Sequence, residues 1–197
     1  MLALQITFIP LDKRGILIHN IIMDKWIYDK LCSNLSHLEG LTALDLGCGE
    51  GANAVGLAKL NIKTTAIDKQ AIMIEKTKKL ASKEQIKITT VVSSIQDFQP
   101  NTQYDIVLFT HVLHFIHSKN QPDIIQKTID LVKPGGILVF ADLEDVSPVS
   151  PNCLSIIKTA LNNIKTERFK VKDVPHLGAN YPHNHKVFYL IGTKNEK

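Results

Sequence analysis

Short apolar segments alternate along the chain with longer segments in which apolar residues recur every three or four positions. The short segments predict β-strands and the longer ones predict helices. The predicted strands cover residues 42–46, 63–67, 86–92, 105–109, 137–141, 169–174 and 186–192. The predicted helices cover residues 24–38, 52–60, 69–84, 121–132 and 152–164. After its first residue the segment 105–109 is continuously apolar, which is typical of a strand with both faces buried. This alternation predicts an α/β protein.

A glycine-rich turn follows the first predicted strand. Gly47, Gly49 and Gly51 stand at alternate positions after Leu46, and a predicted helix follows them. Glycine permits a tight turn and the close approach of a ligand, and a helix N-terminus has unpaired N–H groups that suit an anion. Asp45, at the end of the strand, suits a cation in the same crevice. The turn therefore predicts a site for a ligand that carries both an ammonium and a carboxylate group, such as an amino acid.

A second aspartate, Asp68, ends the second predicted strand, about 20 residues after the glycines. An acid with this spacing is placed to accept hydrogen bonds from both hydroxyls of a ribose. We expect Asp68 to bind a ribose. An exposed aspartate that caps the next helix is the alternative.

The sequence Asp-Leu-Gly-Cys-Gly-Glu-Gly at 45–51 resembles the first motif of class I S-adenosylmethionine (SAM) methyltransferases. The Lys-Pro-Gly-Gly segment at 133–136, which we expect to stop a helix before an apolar strand, resembles another feature of that family. Gly47-x-Gly49-x-x-Ala52 also satisfies the dinucleotide pattern of NAD-binding proteins. The acid two residues before the first glycine, the Pro-Gly-Gly segment and the terminal strand pair favour SAM over NAD.

The resemblance covers residues 24–197 and implies an α/β, Rossmann-like fold. The fold would be a seven-stranded, mostly parallel sheet with helices on both faces and the last strand antiparallel. We expect residues 24–197 to be the SAM-dependent methyltransferase domain and residues 1–23 to be an N-terminal extension. Either translation starts at Met23, or the extension is a small hairpin around residues 12–15.

The resemblance implies S-adenosyl-L-methionine as the cofactor and indicates the positions that bind it. They are Asp45, Gly47, Cys48, Gly49, Glu50, Gly51, Asn53, Asp68, Lys69, Ser94, Ile95, Thr110 and His111. The family usually has an aspartate for the adenine amino group where this chain has Ser94, and Asp97 follows three positions later. The backbone N–H of Ile95 can still donate to an adenine ring nitrogen.

Two histidine clusters are candidates for the substrate side of the site. One follows the fourth strand, and the other lies between the last two strands, in a segment that resembles the tail of small bacterial methyltransferases of the tellurite-resistance type. The substrate-side candidates are His111, His114, His176, His183 and His185. The second cluster orients a small substrate, forms a structural loop or holds a metal ion; we predict no resident metal. His114 either packs under the cofactor or borders the substrate, in preference to acting as a base.

Composition and charge narrow the class of protein. A chain of 197 residues with 44% hydrophobic and 21% charged residues suits one domain with a full-sized core. The net charge of +4 is spread over many lysines, so we expect no nucleic-acid partner. No apolar run approaches the roughly 18 residues needed to cross a bilayer. The three cysteines are far apart, which favours a reduced, cytoplasmic setting.

The predicted function is methyl transfer from SAM to a small molecule, such as a metalloid oxyanion or a thiol-like acceptor. A sulfonium methyl group is already activated, so a general base matters only when the nucleophile arrives protonated. The alternative is a non-catalytic SAM-binding domain with a regulatory or partner-binding role. An RNA methyltransferase is disfavoured, because the chain has no dense Lys/Arg face and no Asn/Asp-Pro-Pro-Tyr-type motif.

Overall fold

A seven-stranded sheet forms the centre of the protein. The computed structural model describes residues 27–29, 31, 38–143, 164–176 and 183–196, with the backbone alone for 167–176 and 183–186. Within these residues the strands are β1 (Thr42–Leu46), β2 (Lys63–Asp68), β3 (Thr89–Val92), β4 (Tyr104–Thr110), β5 (Val132–Leu143), β6 (Ile164–His176) and β7 (His183–Lys194). The helices are α1 (Ala52–Lys59), α2 (Ala71–Lys83) and α3 (Gln121–Asp130), with 3₁₀ helices at Leu113–Phe115 and Ser118–Asn120.

The strand order is β3-β2-β1-β4-β5-β7-β6. Strands β1 to β5 are parallel, whereas β7 is antiparallel to both β5 and β6. This arrangement confirms the predicted fold class, including the antiparallel last strand. Leu46, at the end of β1, pairs with Ile67 of β2 and Phe109 of β4. The carboxyl ends of the parallel strands therefore lie along one edge of the sheet, where ligands bind in open α/β folds.

Alternate residues of β4 enter two separate cores. Val107 and Phe109 pack on the face that α3 covers, and Ile106 and Leu108 pack on the face that α1 covers. All four side chains are fully buried. The prediction that this apolar segment has both faces buried is confirmed, and so is the prediction of helices on both faces of the sheet.

A row of aromatic rings connects the parallel strands to the terminal strand pair. The ring of Phe140 on β5 lies 4.9 Å from that of Phe109 on β4, edge to face, and 5.5 Å from that of Phe188 on β7, stacked. All three side chains are almost completely buried. Since aromatic rings contribute large buried areas and directional contacts, this row stabilises the order β4-β5-β7.

The Pro-Gly-Gly segment lies within a strand and not, as expected, between a helix and a strand. Helix α3 ends at Asp130 and β5 already begins at Val132, so the segment lies within β5. Tyr104 pairs with Val132, but Ile106 pairs with Ile137, so residues 133–136 bulge opposite a single residue of β4. An added Cβ at Gly136 would lie 2.9 Å from the Lys133 carbonyl oxygen. The glycines thus permit a bulge where a simple helix stop was expected.

Several element boundaries also differ from the prediction. Strand β3 begins at Thr89 instead of residue 86, and β6 and β7 extend beyond both predicted ends. Of the predicted helix 24–38, residues 27–29 and 31 are described as helical. The extension 1–23 and, apart from its last residue, the predicted helix 152–164 lie outside the described residues. Among the residues that are described, no helix is both long and apolar enough to cross a membrane.

Candidate functional site

A cavity of about 520 Å³ opens at the carboxyl ends of β1 to β4. Its walls include the glycine turn after β1, the loop after β3 and the segment after β4. All but two of the expected cofactor positions line it. They are Asp45, Gly47, Cys48, Gly49, Asn53, Asp68, Lys69, Ser94, Ile95, Thr110 and His111. The structure thus brings residues from four strands of the sequence-predicted site into one crevice.

Asp45 is a buried carboxylate in the cavity wall. Its side chain is 1% exposed and accepts a hydrogen bond from the backbone N–H of Ala54 in the first turn of α1. Oδ2 has no hydrogen-bond partner among the described residues. The pKa of Asp45 is raised to about 7, chiefly by burial; the Ala54 N–H opposes this rise and the nearby charge of Asp68 contributes to it. A buried carboxylate oxygen without a donor is suited to a cationic group of a ligand.

Asp68 joins the end of β2 to the glycine turn. Its Oδ2 accepts a hydrogen bond of 3.1 Å from the Gly49 N–H, and its Oδ1 accepts one of 2.8 Å from the Gln70 N–H. A carboxylate offers about four lone-pair positions. Two therefore remain for further donors, such as a pair of hydroxyls. Asp68 thus also fixes the turn, a role that spacing alone did not indicate.

The glycines of the turn are required for different reasons. A Cβ at Gly47 would lie 2.5 Å from Cγ2 of Val112, so this glycine lets the turn pack against the segment after β4. Gly49 has φ +54°, and a Cβ there would meet no described atom within 4 Å. The carbonyl of Gly49 accepts a hydrogen bond of 2.8 Å from the hydroxyl of the buried Thr77. Gly49 therefore presents fixed, bare main chain to the cavity.

Cys48 lies in the same turn but is a neutral thiol. Its pKa is raised to about 12, chiefly by burial and next by the charge of Asp45. Its Sγ is 3.7 Å from the Thr77 hydroxyl. Because the thiolate is the reactive form, this cysteine contributes shape and not nucleophilic chemistry.

Two expected cofactor positions, Glu50 and Gly51, are outside the cavity lining that the described residues form. Glu50 Oε1 pairs with Lys76 Nζ at 2.6 Å, and its side chain is 68% exposed. Gly51 is the N-cap of α1, with φ +88°. An added Cβ at Gly51 would lie 2.6 Å from Thr77 Cγ2, so its role is to let α1 pack against α2.

The loop after β3 forms the wall farthest from β4. Ile95 is buried, and the partly buried Ser94 donates a hydrogen bond of 2.6 Å from Oγ to Asp97 Oδ2. The Asp97 N–H in turn donates to Ser94 Oγ at 3.1 Å. The serine at the usual position of the family's aspartate is therefore tied to an aspartate three residues later.

The end of β4 supplies Thr110 and His111. Asn53 Nδ2 on α1 donates a hydrogen bond of 3.2 Å to Thr110 Oγ1, so the first turn of α1 is linked to the end of β4. His111 has φ +57°, and its N–H donates to the Ala141 carbonyl at 2.7 Å. A non-glycine residue in the left-handed region at a strand end is a common feature of functional sites.

His114 does not line the cavity; its ring pairs instead with Asp142 at the carboxyl end of β5. Nδ1 of His114 is 2.6 Å from Asp142 Oδ1, and the Asp142 side chain is 1% exposed. The same carboxylate accepts hydrogen bonds from the N–H groups of Leu113 (2.6 Å, Oδ2) and Leu143 (2.7 Å, Oδ1). Sequence reasoning missed Asp142, although an acid that ends an apolar strand was the signal used for Asp45 and Asp68.

The second histidine cluster lies where β6 and β7 pass the end of β5. Val187 of β7 pairs with Leu143, the last residue of β5, and residues 183–186 continue beyond it. His183 pairs with His176, and His185 lies two residues farther along β7. The backbone of this cluster is therefore at the sheet edge that carries the cavity.

Other lining residues were missed as site residues. The segment after β4 adds Phe115 and His117: Phe115 is 72% exposed, and its ring centroid is 3.9 Å from that of His114. At the end of β4 and in this segment, sequence reasoning had named Thr110, His111 and His114 as site residues. The remaining additions are Gln70, Met73, Ser93, Gln96, Val112 and Ile116. The helical spacing of Met73 is the same for a core residue and a cavity residue, so the sequence alone could not place it in the cavity.

Comparison with known proteins finds similarity to methyltransferases. Residues 43–136 match the family model described as a methyltransferase domain. A ubiquinone biosynthesis O-methyltransferase of Rickettsia canadensis is 31% identical over 124 residues, which are 63% of this chain and 52% of the relative. Its counterpart in Rhodopseudomonas palustris is 29% identical over 116 residues, 59% of this chain and 45% of the relative. The chain spans about half the length of these curated relatives.

Solved structures share the fold at low identity. TehB from Haemophilus influenzae is 19% identical with a TM-score of 0.75, over 88% of this chain and 63% of that chain. Magnesium protoporphyrin IX methyltransferase from Synechocystis PCC 6803, crystallised with SAM, is 16% identical with a TM-score of 0.69, over 87% of this chain and 77% of that chain. These matches support a class I SAM-dependent methyltransferase. SAM is the cofactor of this class.

Proposed function

We propose that this protein transfers the methyl group of SAM to a small molecule. The observation that carries the proposal is the Asp45 carboxylate, which is buried in the cavity wall with Oδ2 unpartnered among the described residues. The α-ammonium group of SAM supplies the missing cation. The carboxylate, the ribose and the adenine of SAM then each have a partner along the carboxyl ends of the strands.

The carboxylate of SAM suits the main-chain N–H groups at the start of α1. The ribose hydroxyls suit Asp68, which has lone pairs left after its two backbone bonds. The adenine suits the loop of Ser94 and Ile95, where the Ile95 N–H is the proposed donor to a ring nitrogen. This order directs the methyl group toward Thr110 and His111 at the end of β4.

The acceptor then lies above the ends of β4 and β5. Methyl transfer is an in-line displacement, so the main tasks of the protein are to position the nucleophile and exclude water. The curated relatives are named as O-methyltransferases, which supports an oxygen acceptor. A soft metalloid oxyanion or a thiol-like acceptor, supported by the His176/His183/His185 segment, is the competing proposal. We further propose that the protein acts in the cytoplasm and without a nucleic-acid partner.

The test of cofactor binding is titration calorimetry of the full chain with SAM, S-adenosylhomocysteine and NAD. We expect both SAM and S-adenosylhomocysteine to bind and NAD not to bind. Asp45→Asn should weaken SAM binding at least about tenfold, because an amide cannot balance the ammonium charge. Asp105→Asn, at the opposite edge of the sheet, is the matched control and should leave affinity unchanged. Binding of NAD but not SAM would refute the proposal.

Turnover needs a separate measurement. Incubating the protein with methyl-labelled SAM and a metabolite extract should yield a labelled small molecule. A protein that binds SAM tightly but labels nothing over a range of pH and reductant would instead be a non-catalytic SAM-binding domain.

A further inference from the structure

We propose that His114 and Asp142 form a general-base pair that deprotonates a hydroxyl group of the methyl acceptor. The inference rests on the proposed function, since it concerns the acceptor side of the same reaction. It assigns His114 as a catalytic residue and Asp142 as the positioning residue behind it.

The hydrogen bonds at Asp142 determine which nitrogen of His114 carries the proton. Two backbone N–H groups, from Leu113 and Leu143, already donate to the carboxylate. A carboxylate that collects these donors while almost fully buried acts only as an acceptor. Nδ1 of His114, 2.6 Å from Oδ1, must therefore be the N–H form in the neutral ring. The lone pair of the neutral imidazole is then on Nε2.

Nε2 of His114 is available for a proton. Among the described residues it has no hydrogen-bond partner, and the His114 side chain is 14% exposed. This arrangement of buried carboxylate, oriented imidazole and available second nitrogen is the one by which a histidine is prepared as a general base.

The position of the pair along the sheet edge fits the acceptor. The cavity covers the carboxyl ends of β3, β2, β1 and β4. Asp142 is at the corresponding end of β5, the next strand in the sheet. If SAM fills the cavity with its methyl group at the end of β4, the pair lies at the end of the neighbouring strand, next to the described cavity lining.

Phe115 indicates the kind of molecule that carries the hydroxyl. Phe115 lines the cavity and is 72% exposed, and its ring centroid is 3.9 Å from that of His114. An exposed aromatic face beside a base suits a planar, apolar acceptor that stacks on it. The hydroxyl would then be phenolic. Because a phenol has a pKa of about 10, it is protonated at neutral pH and needs a base, whereas a thiolate or a metalloid oxyanion does not.

The phenolic O–H bond breaks and its proton moves to Nε2 of His114, while an oxygen lone pair forms the new O–C bond to the methyl carbon. The S–C bond breaks, and its electron pair remains on sulfur, which turns the sulfonium into the neutral thioether of S-adenosylhomocysteine. The proton leaves His114 for solvent after product release.

The test compares the full-length wild type with His114→Gln, Asp142→Asn and the matched control Asp105→Asn. Asp105 is also a hydrogen-bonded strand aspartate, but it is at the amino end of β4. The probes are catechol and 3,4-dihydroxybenzoate as phenols, and thiophenol and selenite as acceptors that ionise without the enzyme's help. The readouts are kcat, KM and the pH dependence of kcat, together with SAM affinity and the thermal midpoint of each variant.

For the phenols we expect kcat to fall about 100-fold or more in His114→Gln, with KM and SAM affinity little changed. The ascending limb of the wild-type pH profile should disappear in the same variant. The titratable groups near His114 are Asp142, which pairs with it, and His111 and His117, which lie in the same segment after β4. If the ascending limb of the pH profile persists in His114→Gln, the limb belongs to one of these three groups. Asp142→Asn should show the same pattern with a smaller loss, and Asp105→Asn should retain wild-type kcat.

Three results would overturn the inference. One is equal loss on phenols and on thiophenol, which a structural role would produce. Another is wild-type kcat in His114→Gln. The third is a wild type that binds SAM but methylates no phenol. Failure to bind SAM at all would instead refute the proposed function itself.

Discussion

Asp45 and Asp68 are aspartates at the ends of neighbouring strands, yet their surroundings prepare them for different partners. Asp68 accepts two backbone N–H groups and is partly exposed. Asp45 is buried, with Oδ2 unpartnered among the described residues. A carboxylate that is already solvated by N–H donors suits neutral hydroxyls. A carboxylate that lacks donors gains most from a full positive charge.

SAM affinity should therefore rise with pH through about 7. Burial raises the pKa of Asp45 to about 7 in the empty protein, and a protonated carboxyl cannot balance an ammonium group. Below pH 7, binding must release this proton, which weakens affinity progressively as the pH falls. Calorimetry from about pH 5.5 to 8.5 should show the rise and the proton release. Asp45→Asn should have lower affinity with a flat pH profile, and an unchanged slope in that variant would show that another group titrates.

The same pKa has the opposite effect on the stability of the empty protein. Between about pH 4 and 7 the folded state binds a proton at Asp45 that the unfolded state has lost. The contribution of Asp45 to the free energy of unfolding is therefore most favourable at low pH and is lost as pH rises through about 7. Asp45→Asn should remove this component from a denaturation series over the same pH range.

Asp68→Ala should weaken SAM binding about 10- to 100-fold, or about 1.5–3 kcal/mol, by removing hydrogen bonds to a charged group. Part of the loss comes from the glycine turn, whose Gly49 N–H loses its acceptor. Calorimetry with SAM measures the change. Asp123→Ala, an exposed aspartate in the first turn of α3, is the control and should bind normally. Unchanged affinity in Asp68→Ala would mean that the ribose is held elsewhere.

At the scale of elements, a comparison of two glycines can distinguish the effect of backbone strain on stability from the effect of ligand contact on SAM affinity. Gly49 and Gly40 both have positive φ, and a Cβ at either would meet no described atom within 4 Å. Substituting either by alanine should therefore cost a similar stability, about 1–2 kcal/mol. Gly49 lines the cavity, whereas Gly40 is outside its described lining.

We therefore expect Gly49→Ala to lower SAM affinity at least about tenfold, because the methyl group occupies space that the cofactor needs. Gly40→Ala should lower stability by a similar amount and leave SAM affinity unchanged. Urea denaturation and calorimetry on the two variants make the comparison. Equal SAM affinity in both would show that the main chain at Gly49 is not a contact surface.

The elements also show what sequence patterns could predict. The turn and its two aspartates depend on local spacing, so the sequence was sufficient to locate them. The His114–Asp142 pair depends on the β4–β5 register, which brings together residues 28 positions apart. The bulge at residues 133–136 was missed for a similar reason, since Pro-Gly-Gly stops a helix and permits a bulge equally well. Glu50 was expected to bind the cofactor because it lies within the motif. Its carboxylate instead pairs with Lys76 at the surface, a contact that the motif's spacing does not indicate.

At the scale of the molecule, the amino ends and the carboxyl ends of the strands have different roles. At the amino edge, Asp105 accepts hydrogen bonds from the Thr42 N–H and hydroxyl and from Lys133 Nζ, which ties β1, β4 and β5 together. At the carboxyl edge lie the cavity and the Asp142 pair. Structural and candidate functional carboxylates are therefore at opposite ends of the same strands, which is why Asp105→Asn serves as a control for both.

Between these edges, the aromatic row makes the terminal strand pair part of the same cooperative unit. Phe140 contacts both Phe109 and Phe188 and is 1% exposed, so Phe140→Ala should lower the free energy of unfolding by about 3–5 kcal/mol. Phe140→Leu, which retains most of the volume, should lose less and keeps the test possible if the alanine variant fails to fold.

Phe115→Ala provides the contrast, because its ring is 72% exposed and its removal should change stability by no more than about 0.5 kcal/mol. Its effect should appear in the KM for an aromatic acceptor instead. Urea denaturation followed separately by circular dichroism and tryptophan fluorescence measures the stability of all three variants. A loss below about 1 kcal/mol in Phe140→Ala would mean that β7 and β6 are held to β5 by the backbone hydrogen bonds and the other apolar side chains, and not by the aromatic row. The Phe188 ring would then add little to the connection between the histidine cluster of β6–β7 and the site.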